Sequence, residues 1–316
     1  MNLAGLCGQV ECGGNELILL KFVMRLGSCE VRKNTEKLVA FSALPRICLK
    51  INLGKECEML MSKMPALFVG HGSPMNAIED NQYTGTWTSI AERIPKPEVI
   101  LSISAHWFTK GTKIMNEENP KTIYDMYGFP KELYDVSYNT AGSPGFAKIS
   151  RDLISRETKY DNSWGIDHGT WSVLVHMYPD RDIPVFQISI DADASPEKHY
   201  KIGKELRALR EQGVLIFGSG NIVHNLRLVD WHKANKGFDW AYEFDEYIYE
   251  SILNKNHDNI IKFNEQGNIA RLAVPTPDHF YPLLYVLGAS DEDDKISVYN
   301  KSCELGSLTM TTYLWE

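Results

Sequence analysis

The chain has 316 residues, 43% of them hydrophobic and 23% charged, with a formal net charge of −8 at neutral pH. That length supports one large core or two domains. The acidic balance leaves no basic footprint for nucleic acid, and no apolar run reaches the ~20 residues of a membrane helix, so the bounds point to a small-molecule partner.

Cysteine and charge divide the chain near its start. Cys7, Cys12, Cys29, Cys48 and Cys57 lie in the first 63 residues, and only Cys303 lies beyond. The same segment carries nine Lys/Arg against six Asp/Glu, a net of +3, whereas the remainder carries 24 against 35, a net of −11. Three readings of it compete. A disulfide or metal-bound appendage is disfavoured by the odd count and by spacings that match no zinc pattern. A targeting sequence is disfavoured by Glu11, Glu16 and Glu30. The preferred reading makes residues 1–63 an N-terminal extension outside the functional domain, with Met61 or Met64 as the working start and 64–316 as that domain. A body with one cysteine suits a reducing cytoplasm.

From residue 65 short β-like runs alternate with helical patterns, as in an α/β sheet. "ALFVG" (66–70) and "EVILSISA" (98–105) read as buried strands around a helix at "TWTSIAERI" (86–94). Strands are expected again at "IPVFQISI" (183–190) and "VLIFGSG" (214–220). Between these two, residues 195–213 carry helix signals: Ser195 as N-cap, Pro196 in the first position, and Gly213 at the C-terminal cap. Residues 239–253 read as an amphipathic helix, and "ISVYN" (296–300) and "LTMTTYLW" (308–315) as closing strands. With no repeat or long linker, the body reads as a single α/β domain. Its sheet is expected to be mixed and mostly parallel, with helices on both faces and a crevice at the carboxyl ends of the strands.

Four of the nine histidines occupy strand ends or their close analogue. His71 follows "ALFVG", His106 follows "VILSISA", and His224 follows "VLIFGSG" in "GSGNIVHNL". His279 sits in the Pro-punctuated loop "PTPDHFYPLLY". Neutral imidazoles on one rim of a parallel sheet suit Zn²⁺ or Fe²⁺, although no His-x₃-His or His-Glu pair fixes two ligands locally. Singly, each also has a structural reading: a turn residue at 71, a carbonyl-bonded core imidazole at 106, a loop-orienting group at 224, a helix cap near Tyr281 for 279. Jointly they favour a shared metal site. His168, in "WGIDHGTWSVL", is bracketed by Gly165 and Gly169 and flanked by Trp164 and Trp171, which can wall an aromatic pocket. It reads as a proton-transfer residue, with a structural contact as the alternative. His176, His199, His232 and His257 carry no such signal.

Together, "GHGSPMNAIEDN", "SAHWFTKGT", "GFPKELYD", "DHGTWSVLVHMYPDRDIP", "GSGNIVHNL" and "PTPDHFYPLLYVLGA" closely resemble the 4,5-DOPA extradiol dioxygenase family of class III ring-cleaving enzymes. The resemblance runs in order from about Met64 to the C-terminus. It implies an α/β fold with a mononuclear metal site, in which "GHGSP" supplies His71, "SAHW" supplies His106 and "TPDHFYPLLY" supplies His279. "GNIVHNL" supplies His224 as a metal-site or catalytic histidine, beside His168 as the other catalytic candidate. The implied cofactor is one divalent metal per chain: Fe²⁺ for ring cleavage, with Zn²⁺ a ready occupant of a histidine-rich site.

The implied reaction inserts both atoms of O₂ into a catechol such as DOPA, next to rather than between the hydroxyls, giving a muconate semialdehyde. The implied partners are therefore a catechol and O₂, with no nucleic acid or membrane, in a cytoplasmic setting. One feature departs from the usual extradiol pattern of two histidines and a carboxylate. This set offers four histidines and no obvious acidic ligand, although Asp167 and Asp278 adjoin candidate histidines. A zinc-dependent hydrolase and a non-enzymatic metal-binding protein on the same fold stand as alternatives.

Overall fold

Strand order decides where a binding crevice can lie. In the computed structural model, which describes residues 63–316, six strands form the central sheet. They are β1 (Ala66–Gly70), β2 (Val99–Ser104), β3 (Val185–Gln187), β4 (Val214–Gly220), β5 (Ile296–Tyr299) and β6 (Thr312–Trp315). Their spatial order is β3-β2-β4-β1-β6-β5. The first four run parallel, β6 runs antiparallel to β1, and β5 runs antiparallel to β6. Gly70 lies opposite Gly220 and Ser104 opposite Ser219, so β1, β2 and β4 end on one rim. The expected mixed, mostly parallel sheet is present.

Because successive side chains point to opposite faces, each parallel strand feeds two cores. Phe68, Leu101, Ile103 and Ile216 enter one; Leu67, Val69, Ile100, Leu215 and Phe217 enter the other. Helices α1 (Gln82–Arg93) and α2 (His168–Met177) cover the second face through Trp87, Ile90, Trp171 and Leu174. Helices α3 (Pro196–Leu206), α4 (Asp239–Leu253) and α5 (Tyr281–Ala289) cover the first through Leu206, Phe244, Ile248, Leu284 and Val286. Each such side chain taken from water contributes about 1.5–3 kcal/mol. Among the described residues no helix is long and apolar enough to cross a membrane.

Four expectations shift in detail. The helix expected at 86 starts at Gln82, because the Asn81 side chain accepts the Tyr83 and Thr84 N–H groups while the Thr84 hydroxyl accepts the Asn81 N–H. That reciprocal cap fixes the start. The helix at 195–213 is α-helical only to Leu206, then tightens into a 3₁₀ turn that stops at left-handed Gly213 (φ 77°); Ser195 occupies the N-cap position without a side-chain capping bond. "IPVFQISI" breaks after Gln187, since Ile190–Asp191 turns to pair with Phe108–Thr109. "LTMTTYLW" also breaks: Leu308–Thr309 pairs with Cys303–Glu304, and the Met310 N–H bonds the Ser302 carbonyl before β6 begins.

Two cationic side chains, one buried and one partly exposed, tie distant segments together. The Arg210 guanidinium, wholly buried, donates to the Met64 carbonyl (2.6 Å), the Ala289 carbonyl (2.9 Å) and Asp294 (2.6 Å). Lys63 reaches Asp291 at 2.8 Å and Asp294 at 2.6 Å. Lys63 therefore belongs to this junction, while the rest of the expected extension, residues 1–62, lies outside the described residues. On α4, Asp245 accepts from the Thr311 hydroxyl at 2.9–3.0 Å, and burial pushes its carboxyl up to about 6.

Candidate metal centre

The rim shared by β1, β2 and β4 collects the histidines. His71 directly follows β1, and its N–H bonds the Gly220 carbonyl at 3.1 Å, extending the ladder by one residue. The turn itself rests on Gly72, whose φ of +62° is left-handed; Gly70 is the last residue of β1. His106 stands two residues past β2. His279 arrives from the loop before α5, where its carbonyl accepts the Asn221 N–H at 2.9 Å. That approach requires glycine at 220, since a Cβ there would lie 2.0 Å from the His279 oxygen. His168 opens α2, one residue after the N-cap Asp167.

Hydrogen-bond partners assign the tautomers of the rings. The Ser219 hydroxyl donates to the Gly169 carbonyl, so its oxygen accepts from His71 Nδ1 at 2.9 Å. His279 Nδ1 donates to Asp278 at 3.1 Å. His106 Nδ1 lies 3.1 Å from Asp125 Oδ2, close enough for the carboxylate's charge to favour a proton on that nitrogen. All three rings are thus left with bare Nε2 atoms. Ligand atoms of His71, His106 and His279 lie within 4.8 Å of one another.

Two of these bare nitrogens, on His71 and His106, stand 3.2 Å apart. That spacing suits a hydrogen bond between the two rings or, with both nitrogens bare, a shared cation. A tetrahedral ion with M–N of about 2.0–2.1 Å places its ligand nitrogens about 3.3–3.4 Å apart. The donor set fits a divalent metal.

Electrostatics agree. Burial, reinforced by the neighbouring imidazoles, holds His71 and His279 well below the ordinary histidine range, so both are neutral, as ligands must be. Burial also lowers His224, to about 4, and lowers His168 together with the His106 charge. For His106 burial is outweighed by Asp125, with Asp167 and Asp278 behind it, and the ring is raised. Burial resists ionisation of Asp125 too, yet its contacts with His106 and His168 hold the carboxyl far below the usual range.

The sequence-derived residues do not all converge. His224 is the expected ligand that the three-histidine group leaves out: its ring lies flat on that of His279, 3.4 Å away and 5° from parallel. His168 sits 3.9 Å, centroid to centroid, from His106. Trp171 does not wall a pocket; it is fully buried in the core and donates to the Ile123 carbonyl at 2.9 Å. Of the two acids flagged beside histidines, Asp278 orients His279. Asp167 instead accepts from Ser104 (2.5 Å), Trp164 (3.0 Å) and Gln187 (3.0 Å) beneath the site. The acid that does enter the site, Asp125, comes from a loop that no local pattern marks.

Comparison with known proteins is decisive at this point. The family described as the catalytic LigB subunit of aromatic ring-opening dioxygenase matches residues 59–313. The chain belongs to this family. It is 43% identical over 264 residues to a 4,5-DOPA dioxygenase extradiol of Escherichia coli K12, covering 82% of this chain and 97% of the relative. A protein of the same description from Beta vulgaris is 35% identical over 254 residues, covering 78% and 94%. An uncharacterized protein of E. coli K12 with a crystal structure superposes with a TM-score of 0.70 at 40% identity, covering 79% of this chain and 99% of that one. This aromatic ring-opening dioxygenase homologue is an enzyme of the extradiol type.

Proposed function

We propose that the protein opens the ring of a catechol, DOPA being the representative substrate, next to its hydroxyls, using O₂ and Fe²⁺ held by His71, His106 and His279. The observation that carries this reading is the convergence of one ring nitrogen from each of these three histidines, within 4.8 Å of one another, on one rim of the sheet. Bound Fe²⁺ would supply the electron exchange between catechol and O₂ that Zn²⁺ does not.

The protein's own groups supply proton handling. His168 Nδ1 faces Asp125 at 3.0 Å, which leaves Nε2 unprotonated, and its lowered pKa keeps the ring neutral. A neutral imidazole can take a catechol proton and later return it. Stacking on His279 supports a flanking rather than ligating place for His224, from which a second proton-transfer role is open to it. Cys303, free and buried, suits a reducing, cytoplasmic setting.

Anaerobic reconstitution with Fe²⁺, followed by an oxygen electrode over a panel of catechols that includes DOPA, tests the proposal. Stoichiometric O₂ uptake with a ring-opened aldehyde product is expected. The all-histidine group also accommodates zinc, so a second reading as a zinc hydrolase is kept: tight Zn²⁺ binding with no uptake from any catechol by Fe²⁺-loaded protein would select it.

A further inference from the structure

Asp125 stands between two histidines with different duties. Its Oδ2 lies 3.1 Å from His106 Nδ1, and its Oδ1 lies 3.0 Å from His168 Nδ1. The same Oδ1 accepts the His168 backbone N–H at 3.0 Å. The loop that delivers Asp125 is pinned just before it, because Ile123 bonds the Ile166 carbonyl through its N–H (2.7 Å) and receives the Trp171 indole on its own carbonyl. Only about a tenth of the Asp125 side chain is exposed, so little water competes for these contacts.

We propose that Asp125 is a positioning residue that fixes two tautomers with one carboxylate. It holds His106 as a metal ligand and His168 as a proton acceptor, each with its proton on Nδ1 and its Nε2 bare. At 3.0–3.1 Å a deprotonated Nδ1 on either ring would bring its partial negative charge against an anionic oxygen, so the carboxylate's charge disfavours the alternative tautomer at both rings. Partners of metal-bound histidines commonly act this way, and losing one typically weakens the metal or the activity 10–100-fold.

His106, Asp125 and His168 could themselves hold a second ion. That arrangement would need both nitrogens of His106 bare, an imidazolate, when His106 Nε2 already faces His71 at 3.2 Å. The carboxylate clamp, with each Nδ1 protonated, needs no such deprotonation.

The His168 half of this inference rests on the proposed function; the His106 half does not. An asparagine at 125 offers one oxygen, and the His168 backbone N–H holds that oxygen at the Oδ1 position. Its amide nitrogen then faces His106 and forces that ring alone into the Nε2–H form. In Asp125→Asn, calorimetric titration of the apo full-length chain with Zn²⁺ should show affinity falling roughly 10–100-fold, with His168 still protonated on Nδ1. Asp125→Ala should lose both constraints, and in addition lose kcat at saturating Fe²⁺ with a smaller change in KM. Asp152→Asn, at an exposed site, should match the wild type.

Long-range ¹H–¹⁵N spectra of the histidine-labelled wild-type protein test the tautomers directly, whatever the variants do. Both rings are expected as Nδ1–H in the apo chain. Either ring in the Nε2–H form, unchanged Zn²⁺ affinity in a folded Asp125→Asn protein, or two Zn²⁺ per wild-type chain falling to one would overturn the proposal. Correct tautomers and weakened Zn²⁺ binding in a protein that consumes no O₂ would leave the clamp standing and remove the dioxygenase reading instead.

Discussion

Replacing Asp245 by Asn should remove a defined part of the protein's pH dependence of stability. Burial raises this carboxyl from 3.8 to about 6, against the opposing hydrogen bonds of Thr311 and Thr309 and the charge of Lys301. The folded-state value lies above the unfolded one, so the unfolded chain ionises first as pH rises. Stability is therefore full below pH 3.8 and is lost through pH 6. The whole shift corresponds to about 3 kcal/mol at 1.36 kcal/mol per pH unit.

Between pH 5 and pH 8 about 1.4 kcal/mol of that loss should be visible. Urea unfolding of wild type and Asp245→Asn at both pH values isolates it. Any constant cost of burying the amide cancels in the double difference, as do the titrations common to both proteins. With a slope near 3 kcal/mol/M the wild-type midpoint should fall about half a molar further than the variant's. Equal pH-induced shifts in the two proteins would show that Asp245 is charged and well solvated in the fold, and that the burial argument is wrong.

The site makes further predictions. His71→Ala should abolish stoichiometric metal, since it removes one of three converging nitrogens, whereas His232→Ala, on an exposed loop, should leave metal content unchanged; inductively coupled plasma analysis reads both. His168→Ala should keep its metal but lose roughly 10²–10⁴-fold in turnover, with the loss mainly in kcat. A chain beginning at Lys63 should fold and bind metal like the full-length protein. One beginning at Met64 should melt slightly earlier, because the Lys63 contacts with Asp291 and Asp294 go with the residue; differential scanning fluorimetry compares them.

Much of this site was readable because its parts lie where strands stop. "ALFVG" and "VLIFGSG" are strands over the residues expected, and His71 and His106 follow from that placement. His279 was readable through its Pro-rich loop, but its docking on Gly220 is a contact between residues far apart in the chain. His224 lies four residues past the end of β4, far enough for the chain to carry its ring onto the face of His279, a contact that no local pattern marks. Asp125 was unreadable. It lies in an irregular loop and meets His106 and His168 only after β2 and α2 are in place. The broken strands at 183–190 and 308–315 have the pattern of single strands, and what divides them are hydrogen bonds to distant carbonyls such as Trp107 and Ser302.

The antiparallel seat of β6 beside β1 has a consequence for how the protein is made. β1 is the first of these six strands to leave the ribosome, yet its neighbours on either side, β4 and β6, are both made later, β6 last of the six. Through most of synthesis both edges of "ALFVG" stay open, and such pairing across long sequence separation is intrinsically slow. An open apolar strand in an incomplete chain invites pairing with other chains. A polypeptide cut short within β6 would carry His71, His106 and His279 yet leave β1 an open edge and β5 without its partner.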